Sequence, residues 1–468
     1  MKKPDYLPEL TPVVHPWVHE LLRQEERMET ALSLHGSPVN IHCTVPFREN
    51  IGKFRSVFDN LGLEYTLFFA RKANKCLVYP EVALGEGEGV DTASYTELRE
   101  CLEQGADPRK LVVTAAVKNK ALVKLAVTHG VPLVIDNEDE CRLIQSVCEE
   151  AGCTVPVQLR ASHFRYEGEV LYSRFGFPVG EIPGWAGRNL GHDGTYHLLK
   201  YRGLHFHLSG YSTGQRAEAL WQCLEAVRLL KEKGFATESI DMGGGILVNY
   251  LEQQTQWRDF FRELEKSVRG DRSPITIHND GLGLQLYRGE VIGSPQVYPY
   301  FNREHGAEFL RTVLDSTNEK GERLCEVLRS QGIRVHLEPG RSLLDQCGIT
   351  LAKVCFTKKD SAGNTLVGLE MNRTQLRSSS ADFLSDPVHI SRVSSSGPEA
   401  EGYLVGGYCL EQEFILKRKI RFRNLPVTGD WIVFINTAGY MMHFYESRAH
   451  RFELAANLLY EEDKLYGI

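Results

Sequence analysis

Between residues 66 and 340, short β-rich runs alternate with helix-like runs eight times over, and few folds accept that order. The strand candidates are 66–72, 89–94, 111–117, 131–137, 155–160, 203–208, 239–243 and 334–338. The intervals between them are long enough for crossover helices. Two carry helix-start signals, Ser94…Glu97 and Asn137…Glu140, each a capping box ahead of an amphipathic run. Alternating strands and helices imply a parallel sheet, and eight repeats suit a closed (β/α)8 barrel of the TIM type. A doubly wound open sheet is the competing arrangement.

After residue 340 the pattern changes. The segments 349–358, 365–371, 402–409, 413–422 and 430–437 are strand-like, with little helix between them. The fold class is therefore α/β plus all-β, a barrel followed by a C-terminal β-barrel or β-sandwich domain. The expected domains are a segment 1–45 joining the β domain, a barrel over 46–345, and the β domain over 346–468. The segment 39–45 is itself strand-like. The stretch 378–401, rich in Ser, Asp and Pro, is expected to be a long loop, and 279–301, rich in Gly, Pro and Tyr, an inserted excursion.

Bulk properties narrow the function. A formal net charge of −7 without a basic patch argues against a nucleic-acid surface. No apolar run reaches the roughly 18 residues of a membrane helix, and the nearest, 431–445, contains Asn436 and His443. The first residues form no signal peptide. Eleven cysteines, an odd number without a CxxC pair, fit reduced thiols in a cytoplasmic protein.

In a parallel barrel the chemistry collects at the C-terminal ends of the strands. The first strand ends near Lys72, which is either a solvated end or, if desolvated, an amine nucleophile. The second ends at Asp91, able to orient a cation or to cap the next helix. The fifth ends at Arg160, an anion contact or a surface charge. The sixth carries His205 and His207, two residues apart and so on one side of a strand. That pair could bind a metal, but no further ligand cluster is evident, and no metal is expected. A histidine stacked on a flat cofactor, or a buried structural one, are the other readings. The seventh ends in Gly243, Gly244 and Gly245, which suit a phosphate or a plain turn. They do not form a GxGxxG dinucleotide fingerprint. The eighth ends in Glu338 followed by Gly340 and Arg341: an acid for a ring nitrogen and a further phosphate contact, or an ordinary turn. Together these are the parts of a pyridoxal-phosphate site.

The segments FFARKAN, VDTAS, LRAS, GLHFHLSG, IDMGGG, LEPGRS, GYC and TAGY, in this order, resemble the fold-type III pyridoxal-phosphate decarboxylases. That group contains the diaminopimelate, ornithine and arginine decarboxylases and shares an alanine-racemase-like barrel. The resemblance is to a divergent, bacterial-type member. It implies a cytoplasmic homodimer with shared active sites. It makes Lys72 the Schiff-base lysine, places Asp91 and Arg160 near the cofactor ring, and stacks His207 on it. Gly243, Gly244, Gly245, Gly340, Arg341 and Tyr440 bind the phosphate, and Glu338 pairs with the ring nitrogen. Cys409 becomes the proton donor supplied by the partner subunit. An acid at Glu338 suits decarboxylation, whereas an uncharged or cationic residue would suit a racemase.

The chain departs from the family pattern in three places. Ser209-Gly210 reverses the usual order after the stacking histidine. Glu411 or Glu413 replaces the acid that relatives place close behind the cysteine. Arg373 replaces an aspartate in the region that meets the far end of the substrate, so Arg373 and Arg377 either face an anionic distal group or form an exposed loop pair. The expected reaction is decarboxylation of an amino acid or modified amino acid. The alternatives are a racemase or epimerase on the same scaffold, a non-catalytic relative, and an unrelated sugar-phosphate barrel enzyme.

Overall fold

The computed structural model describes residues 6–392 and 398–468, so 393–397 of the expected loop and the first five residues lie outside the described part. The chain divides into two compact units. One comprises 48–247 and 304–343, the other 1–47, 248–303 and 344–468.

The first unit is the barrel. All eight expected strands form: Tyr65–Ala70, Gly89–Thr92, Leu111–Val113, Leu133–Ile135, Val155–Ser162, Leu199–His205, Ser239–Asp241 and Arg334–Leu337. Each pairs in parallel with its neighbours, and the eighth pairs with the first, which closes the ring and excludes the open sheet. The third and fourth strands are apolar and buried at every position, as strands covered on both faces must be. The intervening helices start where the capping signals place them. Ser94 Oγ accepts from the Glu97 N–H, and Asn137 Oδ1 accepts from the Glu140 N–H. The reciprocal contact reaches one residue further back than in a standard capping box. Glu97 and Glu140 accept from the N–H groups of Ala93 and Asp136. Glu140 also holds the buried Lys118 ammonium at 3.0 Å, an added role for its carboxylate.

The second unit is built on a nine-stranded mixed sheet. Its spine is the long strand Gly348–Lys359, which pairs with Val39–His42, Thr365–Leu369 and Trp431–Ile435. Val39–His42 in turn pairs in parallel with Ala456–Glu461. Apolar residues of the helices Pro16–Leu22 and Glu25–His35 cover this sheet, with Trp17, Leu21, Met28, Ile41, Leu351 and Trp431 in one buried cluster.

Within the expected strand 413–422 only Ile420–Phe422 is regular, because the backbone donors before it find scattered partners. Ile415 donates to Leu404, Lys417 to the Asp382 carboxylate, and Lys419 to Ile275. The expected loop 378–401 contains a short strand, Val388–Ile390, which pairs with Trp431–Ile435. The excursion 279–301 folds a hairpin, Leu284–Tyr287 with Glu290–Gly293, and clusters with the sheet unit although it interrupts the barrel in sequence. No helix among the described residues is long and apolar enough to cross a membrane.

Candidate active site

The register of the barrel explains how the strand ends converge. His205 lies beside both Arg160 and Asp241, and Asp241 beside His336. Two residues further along each strand direction come His207, Gly243 and Glu338. Side chains two apart share a side, so the sixth, seventh and eighth strands deliver their end residues to one place. The Glu338 N–H donates to the Gly243 carbonyl, and the Gly244 N–H donates to His207 Nδ1 at 3.2 Å. The second bond makes Nδ1 the acceptor and leaves the His207 proton on Nε2.

Lys72 sits on the turn Arg71–Ala73 that follows the first strand. Its Nζ donates to Asp91 Oδ2 at 3.0 Å, and the Thr114 hydroxyl donates to the other Asp91 oxygen. The lysine side chain is 33% exposed and the aspartate 0%, so the amine is the reachable member of the pair. At the eighth strand, Glu338 Oε1 lies 3.1 Å from His205 Nε2, with both side chains buried. Arg160 lies 3.9 Å from Asp136 and 4.0 Å from the Phe175 ring centroid, which orients its guanidinium from two sides.

The electrostatics are lopsided. Burial pushes the carboxyls of Asp91, Glu338 and Asp241 above the ordinary carboxylate range. For Asp241 the neighbouring Glu338 charge adds to the effect, while Lys72 pulls Asp91 and Glu338 back down. Burial, helped by the cations Lys72 and Arg160, holds His205 and His207 well below the usual imidazole range. A neutral His205 can donate from Nε2 to Glu338, which leaves Nδ1 as an acceptor. That Nδ1 and Asp241 Oδ2 are buried without a hydrogen-bond partner among the described residues. The ligand atoms of His205, Asp241 and Glu338 lie within 4.8 Å of one another. Asp241 and Glu338, two buried acids beside neutral imidazoles, are short of positive charge, and a protonated pyridine nitrogen is a cation of the right kind.

The glycine run makes a cradle that side chains would fill. A Cβ on Gly243 would meet the Phe206 carbonyl at 2.6 Å, and one on Gly244 the Glu338 carbonyl at 2.5 Å. Gly243 and Gly245 also hold φ of +65° and +79°, which L side chains rarely adopt. The residues present therefore fit pyridoxal phosphate: an amine, a buried acid for the ring nitrogen, and an open backbone loop for the phosphate.

The other expected site residues stand as follows. Gly340 is buried and Arg341 half-buried just past the eighth strand. In the sheet unit, Tyr440 has φ of +69°, a strained setting for a tyrosine. Cys409 and Glu411 are exposed and Glu413 is buried, and all three line one cavity with Tyr408 and His278. Arg373 is tied to Glu413. Its backbone N–H donates to Oε1 at 2.8 Å and its Nε lies 3.5 Å from Oε2. Arg377 is exposed and lines a second cavity of about 460 Å³ with Ser378, Ser380 and Lys417.

Asp241, Asp136 and Thr114 are not among the residues expected from the sequence, and His205 is singled out there only beside His207. Asp241 ends a strand two residues before the first glycine, which is the available signal. His205 shares its strand side with His207, but its partner Glu338 is 133 residues away.

A cofactor-binding barrel enzyme is the class this fold and site define. The family model for pyridoxal-dependent decarboxylases, pyridoxal binding domain, matches residues 47–279. An uncharacterized protein of Sinorhizobium fredii is 28% identical over 436 residues, spanning 92% of this chain and 89% of its own. Diaminopimelate decarboxylase of Staphylococcus aureus is 22% identical over 431 residues, 90% of this chain and 88% of its own. Among solved structures, a diaminopimelate decarboxylase from M. jannaschi superposes with a TM-score of 0.70 at 16% identity, covering 94% of this chain and 90% of the other. The chain belongs to the fold-type III pyridoxal-phosphate-dependent decarboxylase family.

Proposed function

We propose that this protein removes the α-carboxylate of an amino acid as carbon dioxide, with pyridoxal phosphate held through Lys72. When bound, the cofactor supplies an electron sink for the pair left at Cα. The carrying observation is Glu338, a buried carboxylate fixed by His205 at the end of the eighth strand. An acid there keeps a ring nitrogen protonated, which favours loss of carbon dioxide over simple exchange of the α-proton. Asp91 orients the Lys72 ammonium, and His207 accepts from the Gly244 N–H of the glycine loop.

The remaining roles rest on the resemblance. Asp91 and Arg160 flank the ring, and Gly243, Gly244, Gly245, Gly340, Arg341 and Tyr440 hold the phosphate. The protein works as a homodimer in which Cys409 of one subunit returns the proton to Cα in the site of the other. For the substrate's far end, Arg377 is the available cation, since Arg373 already faces Glu413. An anionic distal group on the amino acid follows, with Glu411 near Cys409 as a further contact.

A panel of amino acids with acidic, basic and acylated side chains, in both configurations, tests the reaction. Carbon dioxide release from at least one, requiring pyridoxal phosphate, is the expected result. Exchange of the α-proton without release would instead make the protein a racemase. Mixing Cys409→Ala with Lys72→Ala protein should restore part of the activity, and no recovery would mean that each chain is self-sufficient.

A further inference from the structure

Arg216 is 0% exposed, one of the largest fully buried side chains of the barrel unit. It sits on the first turns of the helix Thr213–Glu232, directly behind the glycine loop. A Cβ on Gly245 would collide with its Nη2. Three backbone carbonyls receive the guanidinium. Nη2 donates to Gly210 at 2.9 Å and to Gly244 at 3.3 Å, and Nη1 donates to Ser212 at 3.3 Å. Nε has no partner among the described residues, and no carboxylate forms an ion pair with Arg216 there. Phe309 covers one face at 5.4 Å. Burial lowers the guanidinium to about 10, with only Tyr211 opposing, so it stays charged at neutral pH.

A buried cation without a counter-charge is costly, and the other cations at the barrel's strand ends, buried or half-buried, have an acid among the described residues. Lys72 has Asp91, Lys118 has Glu140 and Arg160 has Asp136. Arg216 faces only carbonyl oxygens, which leave its net charge uncompensated. Peptide geometry supplies the consequence. The C=O and N–H of one peptide unit point in opposite directions. With the Gly244 and Gly210 carbonyls turned toward Arg216, the N–H groups of Gly245 and Tyr211 are turned away from it.

We propose that Arg216 is a positioning residue for a phosphate group: it aims the amides of the 210–211 and 244–245 peptides and supplies the buried positive charge that a phosphate dianion answers. This rests on the pyridoxal-phosphate reading. The glycine of the reversed Ser209-Gly210 pair holds φ of +89°, a conformation that L side chains rarely adopt.

The test titrates the cofactor-free full-length protein, followed by the change in absorbance, with pyridoxal phosphate and with pyridoxal, which lacks the phosphate. Arg216→Met is expected to weaken pyridoxal phosphate by about tenfold or more, the order of one lost charge-assisted interaction. Pyridoxal uptake should be unchanged, and Arg216→Lys should recover part of the loss. Equal losses for both ligands, or no loss for either, would overturn the assignment. If Arg216→Met does not fold, Arg216→Lys decides by the same contrast. Wild-type protein that takes up neither ligand removes the cofactor reading and this assignment with it. Normal wild-type uptake beside an indifferent Arg216→Met removes the assignment alone.

Discussion

The strand ends of the barrel and the 373–413 region of the sheet unit treat charge in opposite ways. In the sheet unit, Arg373 and Glu413 answer each other across 3.5 Å, and the Arg373 backbone N–H donates to the other carboxylate oxygen. At the barrel ends, charges are buried and left incompletely answered. Asp241 and Glu338 crowd together at one side, and Arg216 stands without an acid among the described residues at the other. Charges that only stabilise a fold are paired within it. Charges that wait for a ligand are held ready by the fold and completed by what binds. The barrel site is thus bipolar, acid-rich at Asp241 and Glu338 and cationic behind the glycine loop, which is the polarity that the proposed placement of ring nitrogen and phosphate calls for.

The largest expected effect strikes the acid side. Glu338→Gln should lower carbon dioxide release by on the order of a hundredfold or more, as loss of a group that controls a proton in the reaction does. The protein should remain folded, because His205 keeps a hydrogen-bonding neighbour. Turnover within a few-fold of wild type would break the contrast, since Glu338 would then be a structural acid.

The two arginines sharpen the comparison next. Arg377→Ala should raise KM by about tenfold with kcat little changed, the signature of lost uniform binding of a distal anion. Arg373→Ala should leave KM nearly unchanged but cost about 1–2 kcal/mol in denaturant unfolding, because it leaves the buried Glu413 carboxylate without its cation. An exchange of these two phenotypes would make Arg373 the ligand-facing residue.

A pH-dependent effect concerns Asp382, buried in the sheet unit and pushed up by burial to about 6. A carboxyl raised in the folded state contributes stability below its unfolded value of 3.8 and loses it as pH rises through the folded value. The unfolding free energy of wild type relative to Asp382→Asn should therefore fall between about pH 4 and pH 6, by no more than roughly 3 kcal/mol, and be flat above. A flat difference throughout would mean that Asp382 is satisfied after all.

Much of this was legible in the sequence for local reasons. Strand ends follow from apolar runs, caps from Ser94 and Asn137, and the parallel barrel from alternation. Lys72, His207, the glycines and Glu338 fall at those ends, so their convergence follows once the ring closes. What sequence left hidden depends on depth and on distant partners. Nothing local marks Arg216 as buried, since an arginine near a helix start is usually solvated. Its importance arises from Gly245, which removes the side chain that would otherwise occupy its place. The pairing of Arg373 with Glu413 joins residues 40 apart through a segment whose backbone is irregular. The excursion 279–301 interrupts the barrel in sequence and clusters with the other unit, an assignment set by packing and not by periodicity.

The central claim is that Lys72 holds the cofactor. The direct measurement loads the protein with pyridoxal phosphate, reduces it with borohydride and maps the modified peptide. A single pyridoxyl group on Lys72 is the predicted result. An unlabelled protein, or a label on another barrel-end amine such as Lys118, would contradict the account.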